Sequence, residues 1–142
     1  MTPEQLINTH PTGKTTGTTE RPGKEHKGEA LTFDINREIE QLHAEEIWRR
    51  SGRNSRTLVK QHNLRVLAVA LKQGMEISEH STSGRLAVQV LSGHLRMRVP
   101  GQEIDLPAGH LTVLDFEVKF EISAIETSAF VLTVAWVGRS AG

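Results

Sequence analysis

The sequence contains no cysteine and no tyrosine, and each absence excludes a class of site. Without cysteine, the chain can form no disulfide, no thiolate zinc site and no cysteine nucleophile. Without tyrosine, no phenol is available as a general acid. Only two tryptophans and four phenylalanines are present, which argues against a surface that stacks successive nucleic-acid bases.

The chain also lacks an excess of charge of either sign, with 17 Lys and Arg against 17 Asp and Glu. This balance gives no bulk attraction to nucleic acid or to an anionic membrane. No apolar run approaches the roughly 20 residues that span a bilayer, and the N-terminus does not have the pattern of a signal peptide. We therefore expect a cytoplasmic protein with no nucleic-acid partner and no membrane partner.

The 142 residues are enough for one domain, and composition divides them into three segments. Residues 1–28 are rich in Thr, Gly and Pro with few large apolar groups, which predicts a disordered tail. Residues 29–56 are predicted to hold an amphipathic helix over 34–48, capped by Asp34, and then a connector. The connector has four arginines; we expect a solvated loop with one or two of them paired to carboxylates, and anion binding is the alternative.

Residues 57–142 are predicted to form a β-barrel, because short β-branched segments alternate with glycine-containing turns. The run Leu64–Leu71 is apolar on both faces apart from Arg65, so we expect a strand covered on both sides, by a partner or by the N-terminal helix. Arg96 and Arg98 are expected on the outer face, either solvated or paired with acidic residues such as Glu103 and Asp105, and binding of an acidic ligand is the alternative. The predicted strands are 57–60, 64–71, 76–78, 86–91, 94–99, 102–106, 111–114, 119–124 and 129–137.

Two segments, residues 74–93 and 101–112, carry a family resemblance through the spacing of their glycines. They are similar to the cupin motifs G-x5-H-x-H-x3-E-x6-G and G-x5-P-x-G-x2-H-x3-N, and the stretch 33–136 resembles small, single-domain bacterial cupins of unassigned function. The resemblance implies an all-β, RmlC-like jelly-roll barrel (a double-stranded β-helix) with a short N-terminal helix, and a homodimer. The turn residues that match the motifs are Gly74, Gly93, Gly101, Pro107 and Gly109.

The resemblance also implies four metal-ligand positions, of which this sequence keeps one. His80 is the expected histidine, whereas Thr82, Leu86 and Thr112 stand where His, Glu and His would be. A threonine hydroxyl is a poor ligand for a transition metal and leucine is none. Some similar cupins carry a further histidine at a place that falls near Phe120 here. The metal motif is therefore degenerate, and no cofactor is expected.

Two other histidines leave a metal-dependent alternative open. His94 and His110 each follow a turn glycine, so a non-standard set could join either of them to His80, with Glu79 or Glu121 as a further donor. That set would make the protein a cupin enzyme of the dioxygenase or isomerase type. The competing interpretation is that both are surface residues and that His80 is a hydrogen-bonded pocket residue.

The expected barrel interior is mostly apolar with a few polar groups, which is typical of a small-molecule pocket, although such residues also simply fill small barrels. We predict a small-molecule-binding or non-catalytic module. A structural role is the third hypothesis; it predicts a filled barrel with an apolar outer face that supports a dimer. The predicted ligand-binding residues are His80, Thr82, Leu86, Val88, Met97, Thr112 and Phe120.

Overall fold

The structure is a computed structural model that describes residues 30–137, apart from the side chain of Glu79. The predicted tail, residues 1–28, lies outside the described residues. In this part of the chain, no helix is long and apolar enough to cross a membrane. The elements are α1 (Ile35–Ala44), α2 (Glu46–Ser51), β1 (Arg53–Gln61), β2 (Leu64–Leu71), β3 (Glu76–His80), β4 (Arg85–Val99), β5 (Gln102–Pro107), β6 (Leu111–Leu114) and β7 (Phe120–Ala135).

Two long antiparallel strands, β4 and β7, organise the barrel. The second half of β7 lies between β2 and the first half of β4, and its first half lies between β3 and the second half of β4. Strand β6 pairs with the first half of β4 and β5 with the second half. Both long strands therefore contribute to the two sides of the barrel. The register of β4 shifts between Val90 and Leu95, where it passes from one side to the other.

The core lies between these two sides and is apolar throughout. Alternate residues of β4 and β7 point inwards, so that Leu86, Val88 and Met97 pack with Phe130 and Leu132 in one buried cluster. Burying such a side chain contributes about 1.5–3 kcal/mol of transfer free energy. The interior of the barrel is thus filled by one continuous hydrophobic core.

A second cluster lies outside the barrel, where α1 covers β2. Leu42 of α1 is fully buried against Leu58, Ala68 and Ala70. Because the two alanines are small, the helix lies close to the strand. The apolar outer face of β2 is therefore covered by the chain's own helix.

The predicted cap at Asp34 is confirmed, but the helix predicted over 34–48 is divided in two at Glu45, and the connector is not a loop. The Arg37 N–H donates to the Asp34 carboxylate at 3.2 Å, and α1 ends where Glu45 is extended. Residues 46–51 then form α2, and β1 begins at Arg53, four residues earlier than predicted. As expected, one connector arginine is paired with carboxylates: Arg56 contacts two glutamates of the helical segment.

Two pairs of predicted strands are each one continuous strand. Gly93 is expected in a turn between two strands, but it lies inside β4 with φ 86°. A Cβ at Gly93 would lie 2.3 Å from the Thr127 carbonyl oxygen of β7. The glycine therefore permits close contact between two bent strands instead of ending one. On the outer face, Arg96 lies opposite Asp105 and Arg98 opposite Glu103, which confirms the predicted pairs.

The barrel has two distinct ends. At one end, here called the Gly93 end, the turns after β2 and β5 meet the bends of β4 and β7. At the other, the His80 end, β3 and β6 terminate, β4 and β7 begin, and the last residues of β7 meet the β1–β2 turn. The candidate site residues divide between these two ends.

Candidate functional site

The His80 end is held together by two loops and the residue that follows β7. The Glu117 N–H of the β6–β7 loop donates to the Thr82 carbonyl oxygen at 2.9 Å. The Trp136 indole Nε1–H donates to the Ser83 hydroxyl at 2.8 Å, and its backbone N–H donates to the Asn63 carbonyl oxygen at 3.1 Å. These bonds connect three turns of the chain at this end of the barrel.

His80 is the last residue of β3 and lies half-buried at this end. It pairs with Phe120, the first residue of β7. The two rings meet edge to face, with centroids 6.2 Å apart and an interplanar angle of 87°. The imidazole thus has one apolar neighbour on the core side and keeps partial exposure to solvent.

The other three positions of the metal motif do not supply a matching donor set. The Thr82 hydroxyl accepts the Gly84 N–H at 3.3 Å within a tight turn. Leu86 is 1% exposed and pairs with Leu114 and Val134. Thr112 lies half-buried opposite Val88. One imidazole, two hydroxyls and a buried hydrocarbon do not fit a transition metal, which needs several imidazole or carboxylate ligands together.

The structure does not bring the two additional histidines to His80. His94 pairs with Glu126, six residues along β7 from the partner of His80, a distance of roughly 20 Å at the usual rise per residue. His110 lies exposed in the turn after β5, at the same Gly93 end. Residues 30–137 contain no group of three His, Asp or Glu side chains placed to hold a metal ion.

His94 is paired with a carboxylate instead. Its Nε2 lies 2.7 Å from the Asp105 Oδ1. The hydrogen bond from His94, and then the charges of His94, Arg96 and His110, hold the pKa of Asp105 below its ordinary value. Glu121, another proposed helper, pairs with Arg98 at 2.9 Å.

The predicted ligand-binding residues separate into core and rim. Leu86, Val88, Met97 and Phe120 are at most 1% exposed and belong to the packed core. Thr82 is buried in its turn, whereas His80 and Thr112 remain half-buried. Ligand contact by these seven residues stays a prediction, and the partly exposed ones lie where a ligand would have direct access.

The sequence pattern gave no functional role to two basic residues and a tryptophan at the His80 end, Lys60, Arg65 and Trp136. Lys60 and Arg65 are directly opposite in the β1–β2 ladder, and Val134 is the other neighbour of Arg65. The Arg65 guanidinium carbon lies 5.4 Å from the centroid of the Trp136 ring, a cation–π contact. The available signal was Arg65 itself, a single charged residue in an otherwise apolar strand.

The electrostatics of this pair reflect burial and mutual repulsion. Burial lowers the pKa of Lys60, and the positive charge of Arg65 lowers it further. Burial also lowers the pKa of Arg65. Both shifts mean that the positive form of each side chain is less well solvated than in water.

Comparison with known proteins identifies the fold. No protein-family model and no curated protein matches the sequence. A conserved protein of unknown function from Streptococcus pyogenes superposes with a TM-score of 0.64 at 23% identity, covering 86% of this chain and 98% of that one. An RmlC-like cupin from Shewanella frigidimarina superposes with a TM-score of 0.57 at 18% identity, over 64% and 82% of the two chains. The chain has the cupin fold.

This result confirms the predicted all-β cupin jelly roll with a short N-terminal helix. The same fold is part of a larger enzyme, the salicylate 1,2-dioxygenase of Pseudoaminobacter salicylatoxidans, with a TM-score of 0.65 at 15% identity over 72% of this chain and 33% of that one. At these identities the similarity establishes the fold. The structural neighbours thus include both a protein of unknown function and an enzyme, so function depends on the residues of this chain.

Proposed function

We propose that the protein is a cupin-fold module that binds a small organic molecule at the His80 end without a metal. The observation that carries this proposal is that polar and aromatic side chains lie at one end of the barrel, next to a packed apolar core. Half-buried His80 lies beside the edge of Phe120, and Arg65 lies over Trp136, whose indole bonds Ser83. Apolar surface with a few oriented polar groups is typical of small-molecule sites.

Binding fits these residues better than metal-dependent catalysis. A catalytic metal site needs about three protein ligands and an open position. The four motif positions of this chain offer a single imidazole, and His94 and His110 lie at the other end of the barrel. A single imidazole can take part in hydrogen bonding but cannot hold a catalytic metal by itself, which suits recognition.

The packing of the core supports a ligand position outside the barrel interior. Leu86, Val88 and Met97 fill the interior, so the ligand rests on the His80 end and does not enter the barrel. Its contacts are then the partly exposed residues of the rim, among them His80 and Trp136. This arrangement favours a compact molecule with one apolar face.

The test is chemical-shift mapping by NMR with a library of small organic fragments. We expect the fragments that bind to shift the amide of Ser83 and the indole N–H of Trp136, and to do so more weakly in His80→Ala. The matched control is His110→Ala, an exposed histidine at the other end, which should leave binding unchanged. Shifts confined to the Gly93 end, or no shifts at all, would contradict the proposed function.

We also propose that a second copy of the chain pairs with β6. Within residues 30–137, β6 pairs only with β4, and its outward Leu111 and Val113 are 60% and 58% exposed. An antiparallel two-fold pairing centred on Thr112 would place Leu111 of one copy opposite Val113 of the other, on the same face. The exposed apolar edge is thus complementary to itself.

A further inference from the structure

We propose that a second surface of the protein, at the Gly93 end, binds an acidic peptide segment of a partner protein. This surface is separate from the proposed ligand site, which lies at the opposite end of the barrel. It is here called the Gly52 patch and consists of Arg49, Arg50, Arg53 and Lys72.

The end of α2 brings these four cations together. Helix α2 ends at Gly52, whose φ of 78° turns the chain into β1. Arg49 and Arg50 lie in the last helical turn, and Arg53 is the first residue of β1. The Lys72 N–H, just after β2, donates to the Gly52 carbonyl oxygen at 2.8 Å. The four Cα atoms therefore all lie within roughly 6 Å of Gly52.

Close packing holds the Lys72 side chain against the helix end. A Cβ at Gly52 would lie 3.2 Å from the Lys72 Cβ and 3.5 Å from its Cδ. The aliphatic stem of Lys72 thus crosses Gly52, and the residue is exposed. A helix dipole favours cations within the last turn of the helix itself. Lys72 belongs to no helix, so the dipole does not account for its place in the patch.

The cations of the Gly52 patch form no ion pair with any described residue. The fourth arginine of this segment differs, because Arg56 contacts two glutamates of the helical segment. Arg85, Arg96 and Arg98 each have a carboxylate within 4 Å. Residues 1–29 carry four acidic and four basic side chains, so they offer no net negative charge to the patch. An acidic partner would complement this concentration of like charge.

The neighbouring residues favour a peptide over a nucleic acid. Three of the four cations are arginines, whose planar guanidinium groups bind carboxylates with two parallel hydrogen bonds. Ile47 lies three residues before Arg50 on α2 and is 38% exposed, which offers an apolar contact to a peptide side chain. Binding of single-stranded nucleic acid relies on rings that stack on bases, whereas Trp48 packs in the cluster beneath α1 and against His43.

The test is fluorescence anisotropy with the full chain and three labelled probes. The probes are a peptide of six glutamates around one leucine, the same peptide with glutamines, and an oligothymidine with six phosphates. The patch variant is Arg49→Gln with Arg50→Gln. Its matched control is Arg37→Gln with Lys119→Gln, which removes the same charge from two exposed residues that also lack an ion pair with any described residue.

We expect the glutamate peptide to bind at least about tenfold more tightly than the glutamine peptide, because several ion pairs are lost together. The patch variant should weaken the glutamate peptide by about fivefold to thirtyfold, since each exposed ion pair is worth a factor of up to about five. The control variant should change its affinity by less than about twofold, because its charges lie away from the patch. All substituted residues are exposed, so both variants should unfold at the temperature of the parent.

Three results would overturn the inference. Equal weakening in the patch and control variants would show that the peptide responds only to the net charge of the protein. Tighter binding of the oligothymidine than of the glutamate peptide would replace the acidic peptide with a nucleic acid. Failure of the glutamate peptide to bind at low ionic strength, where attraction between exposed charges is strongest, would remove the binding surface altogether.

Discussion

We predict that Arg56 contributes strongly to stability, because among the described residues it makes the ion pairs between the helical segment and the barrel. It lies on β1 with 12% of its side chain exposed, and it contacts Glu38 at 3.3 Å, Glu45 at 2.6 Å and the Gln41 side chain at 2.9 Å. We consider Arg56→Met, which keeps most of the aliphatic stem and removes the charge. Glu38 and Glu45 then lose the positive charge that Arg56 places beside them where the helical segment packs on β1.

The size of the effect follows from burial. Breaking a buried ion pair by removal of one partner costs about 3–5 kcal/mol. Glu38 and Glu45 are 15% and 27% exposed, so water relieves part of this cost and we expect about 3 kcal/mol. With a urea dependence of about 2 kcal/mol per molar, the unfolding midpoint should fall by roughly 1.5 M.

Arg98 is the matched control, because it also contacts two carboxylates, at 3.6 Å and 2.9 Å, but is 61% exposed. Arg98→Met should change the free energy of unfolding by about 0–1 kcal/mol. Adding Glu45→Gln to Arg56→Met should recover part of the loss, since it removes one unpaired charge. Equal effects of the two arginine variants in urea unfolding would refute the reasoning that burial determines the value of these pairs.

Three further predictions concern the Gly93 end and the surface. Gly93→Ala should destabilise the fold by more than about 3 kcal/mol, because the added Cβ combines a positive φ with overlap on β7. The control Gly101→Ala, which has φ 77° and open space around it, should cost about 1–2 kcal/mol in thermal unfolding. Equal costs for the two variants would show that the close contact between the strands is unimportant. His94→Ala should raise the pKa of Asp105 in an NMR titration, because the hydrogen bond that lowers it is lost. The pair therefore stabilises the fold above the ordinary carboxyl pKa and loses that contribution as pH falls through the lowered one; an unchanged titration would contradict this. Leu111→Lys should convert a dimer to a monomer in sedimentation, and a wild-type monomer would disprove the β6 interface.

The fold was largely predictable because turn residues and the alternation of apolar and polar residues along a strand are local signals in the sequence. Glycine spacing and the cupin resemblance predicted the barrel, and the bounds of Leu64–Leu71 and Leu111–Leu114 agree with the structure. The bends of β4 and β7 were not predictable. A glycine with positive φ serves a turn and a bulge equally well, and only the contact of Gly93 with the neighbouring strand distinguishes them.

The site was predictable only in part. The replacements at Thr82, Leu86 and Thr112 are visible in the sequence, and their poor fit to a metal follows from side-chain chemistry. The position of Lys60 opposite Arg65 depends on a one-residue register shift in β1, which moves every later side chain to the other face. No local pattern reports such a shift, so the cationic pair is evident only once the strands are paired.

The central claim is that the His80 end recognises a ligand with the protein's own side chains, without a metal. The most direct test is the metal content of untagged protein by plasma mass spectrometry, before and after incubation with iron, manganese, nickel and zinc, with His80→Ala as the control. The account predicts far less than one metal ion per chain in both proteins. A content near one ion per chain that disappears in His80→Ala would contradict it.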